Sequence, residues 1–246
     1  MIQTIRKAWG VPELRKKIVF TLLILLIFRI GNAIPVPYIN TTLLGNYLDS
    51  MSGTVLGLYN VMSGGAFSQA TIFALSIQPY INASIIIQLL CIAIPSLERL
   101  QKEGGEEGKK KIASITRYST VAIGLLQGFA YYMMMRNYSL INADFASNVW
   151  AAIVIILTFT SGSALIMWLG EQITEFGIGN GISLLIMAGI VSNMFNWGRQ
   201  AAVGMVGGTV HPIAVIVIVL ALLAMIVAIT FVDMGERRIP IQYAKR

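Results

Sequence analysis

The side chains able to carry covalent chemistry are few. The 246 residues hold one histidine, His211, and one cysteine, Cys91. Together they fall short of an ordinary zinc site or a catalytic thiol pair, and a lone cysteine allows no intrachain disulfide. No Gly-x-Ser-x-Gly element is present to present a serine nucleophile. The glycine trio Gly177, Gly179 and Gly181 follows no strand and has no P-loop lysine, so it supports a phosphate cradle only weakly. What the sequence offers instead is contact. Ile77, Ile81 and Ile85 recur every four residues, which stacks them on one helix face, and Ile182 and Ile186 repeat that spacing. Asn82, Ser84 and Gln88 are polar groups inside an apolar run. Two readings stand for them, a hydrogen bond to a neighbouring helix or an aqueous path.

The elements that must position these residues are membrane helices. Of the chain, 56% is hydrophobic and 12% charged, about half the charge of a soluble domain. That is too little to cover a water-soluble fold of this size. A spanning helix needs about 20 apolar residues. Six stretches meet or approach this: 18–34, 72–94, 118–135, 149–169, 178–194 and 212–232, the fifth being short and glycine-rich. The first is followed by Pro35-Val36-Pro37 rather than a small-x-small cleavage site, so it reads as a retained span.

Basic residues set the orientation. Arg6, Lys7, Arg15, Lys16 and Lys17 precede the first span. Arg99, Lys102, Lys109, Lys110, Lys111 and Arg117 lie between the second and third, and Arg237, Arg238, Lys245 and Arg246 follow the sixth. The opposite face holds only Arg136 and Arg199. The positive-inside rule therefore expects a cytoplasmic N-terminus and a cytoplasmic Arg246. The net charge of +7 thus belongs to one membrane face rather than to a nucleic-acid site. Arg29, near the outer end of the first span, is expected to snorkel outward.

Between the first two spans, residues 55–71 are apolar but broken by Gly57 and Gly64-Gly65. They are expected to form either a short re-entrant helix in the outer mouth of the bundle or a loop on its outer surface. The charged segment from Glu98 to Lys111 reads as a solvated hairpin. Pro79 suits the first turn of the second span, where a missing N–H costs least, and Asn180 is placed to cap the helix that follows the glycine trio.

Taken together, these motifs resemble the SecY family, the pore subunits of the Sec protein-translocation channel. The stretch Arg29-Ile30-Gly31 with Ile34-Pro35-Val36-Pro37 resembles the family's opening, and Ser63-Gly64-Gly65-Ala66 its plug. Residues 77–88 and 171–183 resemble its two signatures, and 236–246 the start of the cytosolic loop after span six. Tyr38 and Ser76 stand where the family usually has glycine, and Met62 and Phe67 are departures in the plug.

The resemblance implies an all-α, polytopic bundle: the first half of an inverted-repeat fold plus the sixth span, with a re-entrant plug helix. Its expected parts are a cytoplasmic segment 1–17, a five-span half 18–194 with the plug near 55–71, an external loop and sixth span 195–232, and the start of a cytoplasmic loop, 233–246. By position it implies a pore ring of Ile77, Ile81, Ile182 and Ile186. The plug would comprise Asn60, Val61, Met62, Ser63, Gly64 and Gly65. Ile85, Gln88 and Gln127 would stand on this half's side of a lateral gate, and Arg237, Arg238, Lys245 and Arg246 would bind partners. The implied partners are SecE and SecG small membrane subunits, the SecA motor ATPase, the ribosome, signal peptides, nascent chains and membrane lipid. No cofactor is implied. Spans seven to ten would come from elsewhere, whether the chain is a fragment, one part of a split protein or a natural half.

Two rival classes fit less well. A secondary transporter also uses broken helices, but it expects ionisable residues inside the membrane, and the spans carry almost none beyond Arg29. An intramembrane protease would need paired aspartates or a serine with a base, and His211 lies at a span edge.

Overall fold

The computed structural model describes residues 10–235 except 52, 146 and 210. Among the described residues are nine α-helices and one 3-10 turn: α1 Pro12–Gly31, α2 Thr41–Ser50, α3 Val55–Met62, α4 Gln78–Ala93, α5 Pro95–Lys102, α6 Gly105–Asn137, α7 Val149–Phe176, α8 Gly181–Val206 and α9 Pro212–Asp233, with the turn at Ala143–Phe145. The chain divides into two compact units, Met1–Asn193 and Met194–Arg246.

By length and composition α7, α8 and α9 are able to cross a membrane, and α4 with α5 would count as one more span if their 102° bend is allowed. Helices α1 and α6 coincide with the expected first and third spans. They are more polar: α1 begins with Arg15, Lys16 and Lys17, and α6 begins with Glu106 to Lys111. The second expected span differs most. Only from Gln78 is it helical, because Pro79 sits in the first turn and Ser76 takes a left-handed φ of 49°. Residues 72–77 are instead a run of turns buried in protein, the one setting in which irregular backbone survives at membrane depth.

Within the first unit α6 lies against α4 and α7. Small residues permit the approach: Gly124 of α6 meets Pro79 and Ser163, and Gly162 of α7 meets the backbone carbonyl of Ile72. Two apolar clusters result. One gathers Leu44, Leu48, Phe67, Tyr131, Met135, Ile155 and Phe159. The other gathers Ile24, Phe28, Phe73, Ile77, Ile166, Leu169, Ile173 and Leu185. The segment between α1 and α4 is pinned by two isolated bridges, Pro35 with Thr71 and Ile39 with Ile141. Tyr38 holds a left-handed φ of 73° there, its ring tilted by 47° against Phe145 at 4.6 Å.

Candidate functional site

The four ring candidates meet in one place. Ile77 is the N-cap of α4, and its carbonyl accepts the N–H groups of Tyr80 and Ile81, both at 3.1 Å. Its side chain is 2% exposed, inside the second cluster. Ile81, Ile182 and Ile186 are half-buried and pack on that same cluster. On α8 the fully buried line is Gly181, Leu185 and Gly189, so Ile182 and Ile186 stand one residue round from it, partly uncovered. Along α4 the row emerges outward: Ile77 buried, Ile81 half-buried, Ile85 51% exposed. The arrangement presents an apolar ridge of branched side chains, packed against the cluster and partly exposed.

The plug candidates lie beside that ridge. α3 ends at Met62, and Ser63 to Thr71 fold back as turns. Asn60 organises them: its carbonyl accepts the Gly65 N–H and the Ser63 hydroxyl, and its side-chain oxygen accepts the Ser68 N–H at 2.9 Å. The Ser63 hydroxyl in turn accepts the Phe67 N–H at 3.1 Å. Contacts outward go to the helices that carry the ring. Gln78 Nε2 reaches the Met62 sulfur at 3.3 Å, and Asn193 Nδ2 donates to the Val61 carbonyl at 3.4 Å. Gly64 faces Gly189 so closely that a Cβ on Gly189 would stand 2.8 Å from the Met62 carbonyl. α3 has no fully buried residue, but the turns after it are anchored in the core: Phe67 is buried and stacked on Tyr131 at 4.4 Å, with the Tyr59 ring 4.9 Å away. The segment is docked by polar ties at residues 60–65 and by an aromatic anchor at Phe67.

The gate candidates are separated in kind. Gln88 is exposed, and its amide donates to the Ser84 hydroxyl one turn earlier at 3.3 Å. Gln127 is half-buried, and its side-chain oxygen has no hydrogen-bond partner. It borders a cavity of about 270 Å³ lined by Leu56, Tyr59, Phe67, Leu75, Gln127, Ala130, Tyr131 and Met134. Ile85 is exposed on α4. Arg237, Arg238, Lys245 and Arg246 lie outside the described residues.

Several residues here carry no signal in spacing. Tyr59 and Tyr131 read as apolar positions, yet the Tyr59 hydroxyl donates to the Leu75 carbonyl at 3.1 Å and the Tyr131 hydroxyl to the Phe67 carbonyl. Both tie the plug segment to the bundle. Arg117 on α6 donates to the Glu171 carboxylate on α7 at 2.9 Å, a partly exposed pair; such pairs contribute about 1 kcal/mol or less.

Comparison with known proteins bears directly on this arrangement. The family model described as SecY matches residues 71–246. The chain is 42% identical to the protein translocase subunit SecY of Streptomyces scabiei, over all of this chain and 58% of that protein. It is 40% identical to the SecY subunit of Escherichia coli K12, over 96% of this chain and 54% of that protein. The chain thus spans little more than half the length of these relatives. Its fold is similar to Sec61 in a canine ribosome-channel complex, with a TM-score of 0.65 and 16% identity over 96% of this chain and 54% of Sec61. It is also similar to a protein-conducting channel, with a TM-score of 0.61 and 17% identity over 90% of this chain and 51% of the other.

Proposed function

This chain belongs to the SecY family, and from that premise we propose that it builds one side of a channel for unfolded protein in the cytoplasmic membrane. The observation that carries the proposal is the isoleucine ridge. Ile81, Ile182 and Ile186 pack on a buried cluster yet stay partly exposed. Branched apolar tips repel water and ions, and they yield around a passing chain without holding it by hydrogen bonds. The plug reading rests on the polar ties of residues 60–65, each a neutral hydrogen bond contributing about 1 kcal/mol, while the buried Phe67 keeps the end of the segment in the bundle. Gln127 and the cavity beside it supply a polar foothold at the proposed gate.

The activity is passage and lateral release rather than catalysis. An opposing wall from the remaining spans would complete the ring. SecE, SecG, SecA and a ribosome remain the partners that the family resemblance implies. The basic residues from Arg99 to Arg117 and the tail residues Arg237, Arg238, Lys245 and Arg246 suit acidic or ribonucleoprotein surfaces at a cytoplasmic face.

The test is a channel assembled from this chain and the part of the Streptomyces scabiei relative beyond the match. Ile81→Gly with Ile186→Gly is expected to raise resting ion leak in planar bilayers and to relax the demand for a good signal sequence. A cysteine at Lys110 in the same assembly should label from the cytoplasmic side and one at Asp49 from the other. Unchanged leak and selectivity would return these isoleucines to core packing.

A further inference from the structure

The ridge depends on where α8 begins, and a polar corner fixes that point. A helix leaves its first four N–H groups without internal partners. In α8, with Asn180 at the N-cap, three of these are met by side chains. The Gly181 N–H donates to Thr174 Oγ1 at 2.9 Å and the Ile182 and Ser183 N–H groups donate to Asn180 Oδ1 at 3.0 and 3.2 Å, while the Leu184 N–H makes the first intrahelical bond, to the Asn180 carbonyl at 3.0 Å. Thr174 is itself anchored, its hydroxyl donating to the Gly170 carbonyl at 2.9 Å. A Cβ at Gly181 would fall 2.0 Å from that carbonyl, so no other residue fits the corner without moving it.

A second tie reaches the corner from far away in the chain. Thr21 of α1 is 7% exposed, and its hydroxyl accepts the Ile178 N–H at 3.2 Å while donating to the Lys17 carbonyl at 2.9 Å. The approach is close: a Cβ at Gly177 would stand 2.5 Å from the Thr21 oxygen. Phe20 meets Phe176 edge to face at 6.1 Å on the same corner. The corner is therefore held from α7 by Thr174 and from α1 by Thr21. Ile182 is the second residue of α8 and Ile186 stands one turn on, so a slip of the corner moves both isoleucines relative to Ile77 and Ile81.

We infer that Thr21 and Thr174 are positioning residues for the seal: their hydroxyls fix the origin of α8 and so hold Ile182 and Ile186 against Ile77 and Ile81. The inference rests on the ring reading above. The experiment measures resting ion conductance of the assembled channel in planar bilayers for Thr21→Val, Thr21→Ser, Thr174→Val and Thr174→Ser, beside the Ile81→Gly, Ile186→Gly pair. Valine keeps the shape and removes the hydroxyl. Conductance is expected to rise about fivefold with each valine, the factor for one lost hydrogen bond, and to return with serine. Thr174 is exposed, so its valine variant tests the corner without disturbing the core if Thr21→Val fails to assemble. Leak from the isoleucine pair without leak from the valines would overturn the positioning role and leave the ring intact. Equal leak with valine and serine would overturn it too, since the hydroxyl would then be irrelevant. No leak from the isoleucine pair would remove the ring, and the inference with it.

Discussion

Helices α7 and α9 are both long and apolar enough to cross a membrane, yet they meet their surroundings in opposite ways. α9 is the more apolar, with a mean hydropathy of 3.3 against 2.1 over the best window, but none of that window is buried, against 39% for α7. The difference lies in the residues that interrupt the apolar run. On α7 the buried positions include Thr160, Gly162, Ser163 and Gly170. Gly162 lets the Ile72 backbone approach, and the Thr160 and Ser163 hydroxyls donate to carbonyls in their own helix, at 2.8 and 2.9 Å, so they need no outside partner. α9 runs from Ile213 to Val232 with only alanine and Thr230 among larger apolar residues. Lipid tails are as apolar as leucine, so apolarity sends a helix into the bilayer without telling it what to touch. Small residues and self-satisfied hydroxyls do that.

Substitution of those interruptions should therefore give the largest effects. Gly162→Leu would drive a side chain into the Ile72 carbonyl, since even a Cβ there lies 2.0 Å away. We expect failure to assemble, because the obstacle is backbone and the cost exceeds the roughly 1–3 kcal/mol typical of overpacking. Ala224→Leu on α9 should be tolerated. The check is the yield of folded protein after detergent challenge, and equal yields would break the comparison. Next comes Phe159→Ala, which empties a fully buried position beside Tyr131 and should cost about 3–5 kcal/mol at most. Leu222→Ala, on a 54% exposed residue, should change thermal stability by about 0.5 kcal/mol or less. A matching loss at Leu222 would mean that α9 is covered as tightly as α7.

The smallest effect concerns backbone. Ser76, at a φ of 49°, and Tyr38, at 73°, both occupy left-handed conformations. Ser76→Gly should raise the melting temperature slightly, by the roughly 1–4 °C expected for about 0.5–1 kcal/mol in a chain of this size. Tyr38→Gly should gain nothing, because it also gives up the ring contact with Phe145. A gain at Tyr38 equal to that at Ser76 would show that the contact contributes nothing.

These helices were legible in the sequence to different degrees. The apolar runs of α7 and α9 were plain from length alone, whereas that of α8 read as short and glycine-rich because the helix runs on to Val206 through polar residues; Pro79 at the start of α4 and Asn180 as the cap of α8 were legible from residue type. The turns at 72–77 were not. Ile72, Phe73, Leu75 and Ile77 carry the same apolar signal in a buried turn as in a helix, and only Ser76, standing where the resembling family has glycine, hinted at a left-handed residue. The family motif named four isoleucines as a set, and all four lie in or against one cluster, but periodicity could not tell that Ile77 is buried while Ile85 is exposed. That follows from what α1 and α7 bring against the start of α4. Thr21 was invisible for a different reason. It sits in an apolar run 157 residues from its partner Ile178, and no local pattern reports so distant a bond.

The late start of α4 has a consequence for how that helix meets the bilayer. Sixteen residues make a rod about 24 Å long, several ångströms short of the roughly 30 Å hydrocarbon core. At its far end the chain bends by 102° into α5, whose Glu98, Arg99 and Lys102 belong in water or among headgroups. The exposed face of α4 carries Ile85, Ile86, Leu89 and Ile92. Alone, so short a rod would face a mismatch costing fractions of a kcal/mol per ångström. Here residues 72–77 take up the missing depth as turns packed in protein, so the helix that carries a ring candidate, Ile81, and a gate candidate, Gln88, begins part-way through the membrane rather than at its surface.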